Sequence, residues 1–319
     1  MTVSRRTFLK TASTTAAALA AGGLWSRPVA AAPREFDISL AAYSLHRTIG
    51  PGKTPMLELP RLAREEFGID AVELVNWMLE SDDKKYVGDF INAANKHNVR
   101  ILLIMVDRAG SVGATNANAR EQAVDRHKHW LKIAQSMGCH SIRMNWAGAR
   151  SDTMADPKEL DDFIRRSVDP LLKICTYADQ LNLNVLIENH GGPSSHPDAL
   201  VKLIKAVGHH RFGTLPDFGN FPPRVNPNGG PDNVDIYEAV DKMMPYAKAV
   251  SAKCYEFDEE TGEETSMYYD RLIDIVVDKH GYNGYIGIEY EGLRMSEFDG
   301  VNACKALLER LRDQGPAEG

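Results

Sequence analysis

From residue 36 to the C-terminus, short apolar runs rich in Val, Ile and Leu alternate eight times with longer amphipathic stretches, and few folds accommodate so regular an alternation. The strand candidates are residues 37–43, 70–75, 99–106, 141–145, 184–189, 212–217, 247–255 and 284–290. Helix candidates begin near Met56, Lys84, Ala117, Pro157, Pro197, Asn233, Tyr268 and Glu297. Eight strands, each followed by a helix, predict an α/β chain forming a single (β/α)8 TIM barrel over residues 32–319. A chain of 319 residues has room for two domains, but no repeat, low-complexity stretch or Pro/Ser linker divides this one. An open doubly wound sheet usually carries a glycine-rich phosphate turn after its first strand. Here that turn reads Tyr43-Ser44-Leu45-His46, with neither a GxGxxG nor a Walker pattern. The Pro/Gly/Asn-rich stretch 221–232 follows the sixth strand, where a barrel places the loops over its mouth.

The first 31 residues differ in kind. They hold Arg5, Arg6, Lys10 and Arg27, no acid, and an apolar run from Ala16 to Leu24. Ser4-Arg5-Arg6-Thr7-Phe8-Leu9-Lys10 matches a twin-arginine export signal, and Val29-Ala30-Ala31 supplies a cleavage site. The expected address is periplasmic or secreted, with the twin-arginine translocase as the partner during export. The apolar run is too short to span a bilayer as a mature helix, and a short amphipathic anchor that stays attached is the alternative to cleavage. Removing four positive charges from a net charge of −7 leaves the mature part near −11, which gives nucleic acid or an anionic membrane little to hold. Cys175 and Cys304 lie in helix patterns, Cys254 inside a strand and Cys139 just before one, without CxxC or Cys/His spacing, so four free, mostly buried thiols are expected and a structural zinc site is not.

Barrel chemistry gathers at the C-terminal ends of the strands, so the polar residues can be sorted by end. His97, His140, His209, His210 and His280 precede strands and fall on the opposite face. His46, His190 and His196 fall on the catalytic side, together with Glu73, Asp107, Glu188, Asp217, Glu256 and Glu289. Glu188 stands out, because Val185-Leu186-Ile187-Glu188-Asn189-His190 ends an apolar strand on an acid whose unassisted burial costs several kcal/mol. Alternation turns Glu188 and His190 to the same face. A single strand-end acid more often caps a loop or pairs with a cation such as Arg143 or Lys253. Three, from strands five, six and eight, point instead to an oxygen-rich site suited to Mg²⁺ or Mn²⁺.

Taken in order, Ala71-Val72-Glu73-Leu74, Ile187-Glu188-Asn189-His190, Asp217-Phe218-Gly219-Asn220 and Ile288-Glu289-Tyr290-Glu291-Gly292 resemble the xylose isomerase-like sugar isomerase/epimerase superfamily over residues 36–312. The resemblance implies a divalent metal (Mn, Mg, Co or Zn) held at Glu188, Asp217, Ser251 and Glu289. Ser251 departs from the pattern, since that position usually carries His, followed two residues on by the Lys that is retained here as Lys253. A water or His190 could complete the metal shell, the affinity could fall, or Lys253 could do the chemistry without metal.

The resemblance further implies proton abstraction beside a sugar carbonyl, with Glu188 and Glu289 as acid/base pair and Lys253 as a further catalytic candidate. His46, His190, Asn220, Glu73 and Arg143 would orient hydroxyls, and Trp77 or Trp146 would stack on a sugar face. Export favours an unphosphorylated carbohydrate. Two alternatives remain open at this level: elimination on a keto-glycoside using the same residues, and a sugar-binding barrel without catalysis. The apurinic endonuclease relatives of this barrel need more His ligands and a basic surface, which the chain lacks. An oligomer is compatible with the sequence.

Overall fold

The computed structural model describes residues 32–150, 153–221 and 234–316, so the export-signal expectation and most of the loop after the sixth strand lie outside the described residues. Eight parallel strands run β1 Asp37–Ala41, β2 Ala71–Val75, β3 Arg100–Val106, β4 Ser141–Met144, β5 Asn184–Glu188, β6 Phe212–Leu215, β7 Val250–Cys254 and β8 Tyr285–Tyr290. Their order is β6-β5-β4-β3-β2-β1-β8-β7. The ends of this sheet meet through parallel bridges, Thr214 with Ala247 and Asp217 with Ser251. Lys248 N donates to Thr214 O and Ser251 N to Pro216 O, so β6 and β7 close the TIM barrel.

The intervening helices are α1 Leu59–Glu65, α2 Lys84–Lys96, α3 Ala117–Ser136, α4 Pro157–Gln180, α5 Pro197–Val207, α6 Ile236–Met243, α7 Tyr269–Ile273 and α8 Glu297–Gln314. Five start on a side chain that accepts from the first turn: Asp83, Asn116, Asp156, Asp235 and Ser296. Each such cap contributes about 1 kcal/mol and fixes where the loop from the preceding strand ends. The apolar helix faces and the outer faces of the strands form one continuous core. All four cysteines are buried and free. Among the described residues no helix is long and apolar enough to cross a membrane.

Strand register places the polar interior in layers. Ser39 of β1 and Ser251 of β7 both pair with Gly287 of β8, and one step up β8 on the same face Glu289 pairs with Lys253. Gly287 makes room for the lower layer, since a Cβ there would stand 2.5 Å from a carboxylate oxygen of Glu73.

Candidate active site

Three strand ends bring Glu188, Asp217 and Glu289 together, with one ligand oxygen from each lying within 4.8 Å of the other two. All three carboxylates are buried. The backbone of Asp217 is pinned by Asn189, whose side chain accepts from Asp217 N at 2.7 Å and donates to Asp217 O at 2.8 Å. Asp217 Oδ1 accepts from Gly219 N and Asn220 N, while Oδ2 accepts from the Ser251 hydroxyl at 2.7 Å. Ser251 Oγ also stands 3.2 Å from Glu289 Oε2 and so ties two of the acids together. Asn220 Nδ2 donates to Glu188 Oε1 at 2.9 Å. Glu188 Oε2 lies 2.6 Å from Arg143 Nε, but off the N–H axis, and accepts no hydrogen bond.

The electrostatics explain why such a cluster demands more positive charge. Asp107, Glu188, Asp217, Glu289 and Glu291 crowd against Arg143 and Lys253. Burial pushes the Glu188 carboxyl up to about 7, with Arg143 opposing and Glu289 adding to the rise. Burial likewise pushes Asp217 up to about 7, against the pull of Lys253. Without a further cation these groups hold protons near neutral pH. A divalent ion fits this set: the donors are oxygens, one Glu188 oxygen is buried without a hydrogen bond, and carboxylate exceeds fixed cation.

Lys253 lies 3.0 Å from Glu289 Oε1, 2.6 Å from Glu291 Oε1 and 3.8 Å from Asp217 Oδ2. Desolvation favours the free amine, but the charges of Glu289, Asp217 and Glu291 outweigh it and keep Lys253 an ammonium. It stands in the site as an ammonium counter-charge, ion-paired to Glu289 and Glu291. Arg143 bridges Asp107 Oδ1, at 2.6 Å, and Glu188. Burial works against the Asp107 anion, yet Arg143 holds its carboxyl below the usual range.

A polar cavity of about 320 Å³ opens above these groups, lined by Tyr43, Trp77, Asp107, Arg108, Arg143, Asn145, His190, Glu289 and Glu291. Desolvation by the surrounding walls and the charge of Arg143 keep His190 neutral at pH 7, and it stays outside the triad of acids.

A family model described as xylose isomerase-like TIM barrel matches residues 61–314. The chain belongs to the xylose isomerase-like TIM barrel family. Solved structures agree in fold. L-ribulose 3-epimerase superposes with a TM-score of 0.69 at 13% identity, over 86% of this chain and 94% of that one. The 3-keto-D-glucoside 4-epimerase of E. coli gives 0.62 at 15% identity, over 87% and 99%. A xylose isomerase-like TIM barrel protein from Mycobacterium smegmatis in complex with magnesium gives 0.61 at 18%, over 88% and 96%. No curated protein matches the sequence.

Within this xylose isomerase-like barrel three sequence expectations are corrected. Trp146 is 4% exposed, stacks on Phe163 of α4 and donates to Ser167 Oγ at 2.8 Å, so it is core between strand and helix. Trp77, 42% exposed, is the indole at the mouth. His46 stacks on Tyr43 with Nδ1 2.7 Å from the Tyr43 carbonyl, and so backs the wall without lining the cavity. Glu73 lies in the lower layer, beside Gly287, accepting from Ser39 Oγ at 2.7 Å. Asn220 and Arg143 both hold Glu188, and Arg143 also lines the cavity itself. Glu291 is missing from the sequence-derived set although its i+2 spacing from Glu289 signals it; Asp107, at a strand end, was legible as an acid but not as the partner of Arg143.

Burial pushes the Glu73 carboxyl up to about 7, Ser39 opposing and Glu289 and Glu188 adding. A raised carboxyl stabilises the fold below the unfolded-state value near 4.5, and that contribution is lost as pH rises through about 7. Glu73→Gln is expected to remove about 3 kcal/mol of this pH-dependent loss. Urea unfolding at pH 5 and pH 8 checks it; equal pH slopes in variant and wild type contradict it.

Proposed function

We propose that this protein is a sugar isomerase or epimerase that moves a proton beside a sugar carbonyl, working with a divalent cation held by Glu188, Asp217 and Glu289. The observation that carries this reading is the convergence of those three buried carboxylates beneath a polar cavity of about 320 Å³. A cavity of that size suits a monosaccharide unit. When bound, the cation would polarise the carbonyl oxygen and stabilise negative charge developing beside it.

The chain's own residues supply the rest. Glu188, with its carboxyl near neutrality, takes a proton from the carbon next to the carbonyl and can return one. Asn220 holds its Oε1 and Arg143 stands at its Oε2, so the carboxylate is fixed in one plane. Glu289 is held by Lys253 and Ser251, as the second acid/base across the site. The export signal read from residues 1–31 supports an unphosphorylated sugar or sugar derivative as substrate.

The test is elemental analysis of purified protein, together with solvent-deuterium incorporation into D-fructose and D-tagatose followed by NMR. Near-stoichiometric metal is expected, lost from Asp217→Asn, a variant that keeps an acceptor for Gly219 and Asn220. Exchange is expected to follow metal content. Protein that stays metal-free after reconstitution with Mn, Mg, Co or Zn overturns the reading.

A further inference from the structure

Arg108 is the one cation lining the cavity that pairs with no carboxylate among the described residues. Arg143 and Lys253 each meet two or more, whereas the exposed guanidinium of Arg108 lies 5.2 Å from the centroid of the Trp77 ring. The indole is a fixed platform: its Nε1 donates to Asp107 Oδ2 at 3.2 Å and Tyr43 packs edge to face against it. The backbone of Arg108 is left-handed, with φ of +58°, a conformation that disfavours a side chain. Glycine would sit there without strain, yet the position carries the longest cation available. Strain retained at the rim of a cavity is characteristic of residues that bind or switch.

A guanidinium within cation–π distance of an indole is drawn towards the ring face, which favours a position from which its N–H fork can meet a carboxylate. In a mouth crowded with acids, the missing partner of this cation is an anionic group brought by the substrate. We propose that Arg108, held on Trp77, is a specificity residue for the carboxylate of an acidic sugar, so that the substrate class is a keto-uronate or a sugar derivative bearing a uronate. This rests on the sugar-enzyme reading above and narrows it.

The experiment is calorimetric titration of the Mn²⁺-reconstituted protein with D-fructuronate against D-fructose, and D-tagaturonate against D-tagatose, with D-fructose 6-phosphate as the phosphate probe. The acid is expected to bind about tenfold or more tightly than its neutral counterpart, and Arg108→Gln to bring the two together. Arg108→Lys, with charge but no fork, is expected to keep only part of the preference. Arg108→Gly is expected to raise Tm by about 2 °C through release of the backbone strain while also losing the preference. Tighter binding of the phosphate than of the uronates assigns the site to phosphate and overturns the carboxylate proposal. Equal binding of acid and neutral sugar also overturns it and leaves the sugar-enzyme reading standing. An acid preference that survives in Arg108→Gln belongs to the metal centre and overturns it too. Failure of every sugar to bind removes both readings.

Discussion

Glu188→Gln is expected to lose proton exchange beside the sugar carbonyl by about 10³-fold, within the 10²- to 10⁴-fold range of a positioned acid or base. The swap keeps an oxygen to accept from Asn220 Nδ2 and keeps the volume, so the fold is undisturbed. It removes the group that can take a proton, and it removes one charge from the set offered to a cation. Stability at pH 8 should hold or rise, because burial penalises the ionised Glu188 that the variant no longer contains. The informative control is Glu73→Gln. Its carboxyl is raised to the same region, also chiefly by burial, but it lies a layer down against Ser39 and Gly287. That variant should alter the pH dependence of stability and keep exchange within a few-fold of wild type. Deuterium incorporation and urea unfolding on the same samples separate the two; Glu188→Gln exchanging at near wild-type rate removes Glu188 from the chemistry.

Arg143→Met is expected to destabilise the protein by about 3–5 kcal/mol, the cost of stripping one partner from a buried ion pair. The guanidinium is buried at the junction of Asp107 and Glu188, and no other cation within the described residues contacts either carboxylate. Methionine fills most of the space but leaves both acids without their counter-charge. The penalty should be largest above pH 7, where Glu188 would be ionised, and should shrink as protonation neutralises it. Added divalent cation should recover part of the loss by binding the folded state only. Arg143→Lys should recover less than the full charge implies, since a single ammonium cannot span Asp107 and Glu188 as the guanidinium does. Chemical denaturation across pH, with and without Mn²⁺, checks these points, and a loss below about 1 kcal/mol contradicts the argument.

Much of this molecule is written in local patterns. Eight apolar runs separated by amphipathic stretches specify strands, helices and their order, because burial on both strand faces and on one helix face leaves an imprint at periods of 2 and 3.6 residues. Glu188, Asp217 and Glu289 were legible for the same reason, since an acid ending an apolar strand has few places to go but the mouth of the barrel. The serine at position 251 was equally plain, but its role was not. Only the closure of β6 on β7 shows its hydroxyl tying Asp217 to Glu289.

Depth and charge state are different in kind. Trp77 and Trp146 both follow strands, yet one faces the cavity and the other packs on Phe163, because the direction of a side chain just past a strand end depends on the loop and on the neighbouring helix. Glu73 reads like the other strand-end acids, and the register of β1, β2 and β8 alone lowers it beneath them. Whether Lys253 is an amine or an ammonium is set by Glu289, Asp217 and Glu291 together. That Arg108 pairs with no carboxylate among the described residues is visible only once the ion pairs of the mouth are laid out. The chain by itself determined the barrel and the three acids at its rim, through periodicity and strand ends. Tertiary structure decided which polar groups share a layer, which are paired and which stay charged, because those depend on distances between strands far apart in sequence.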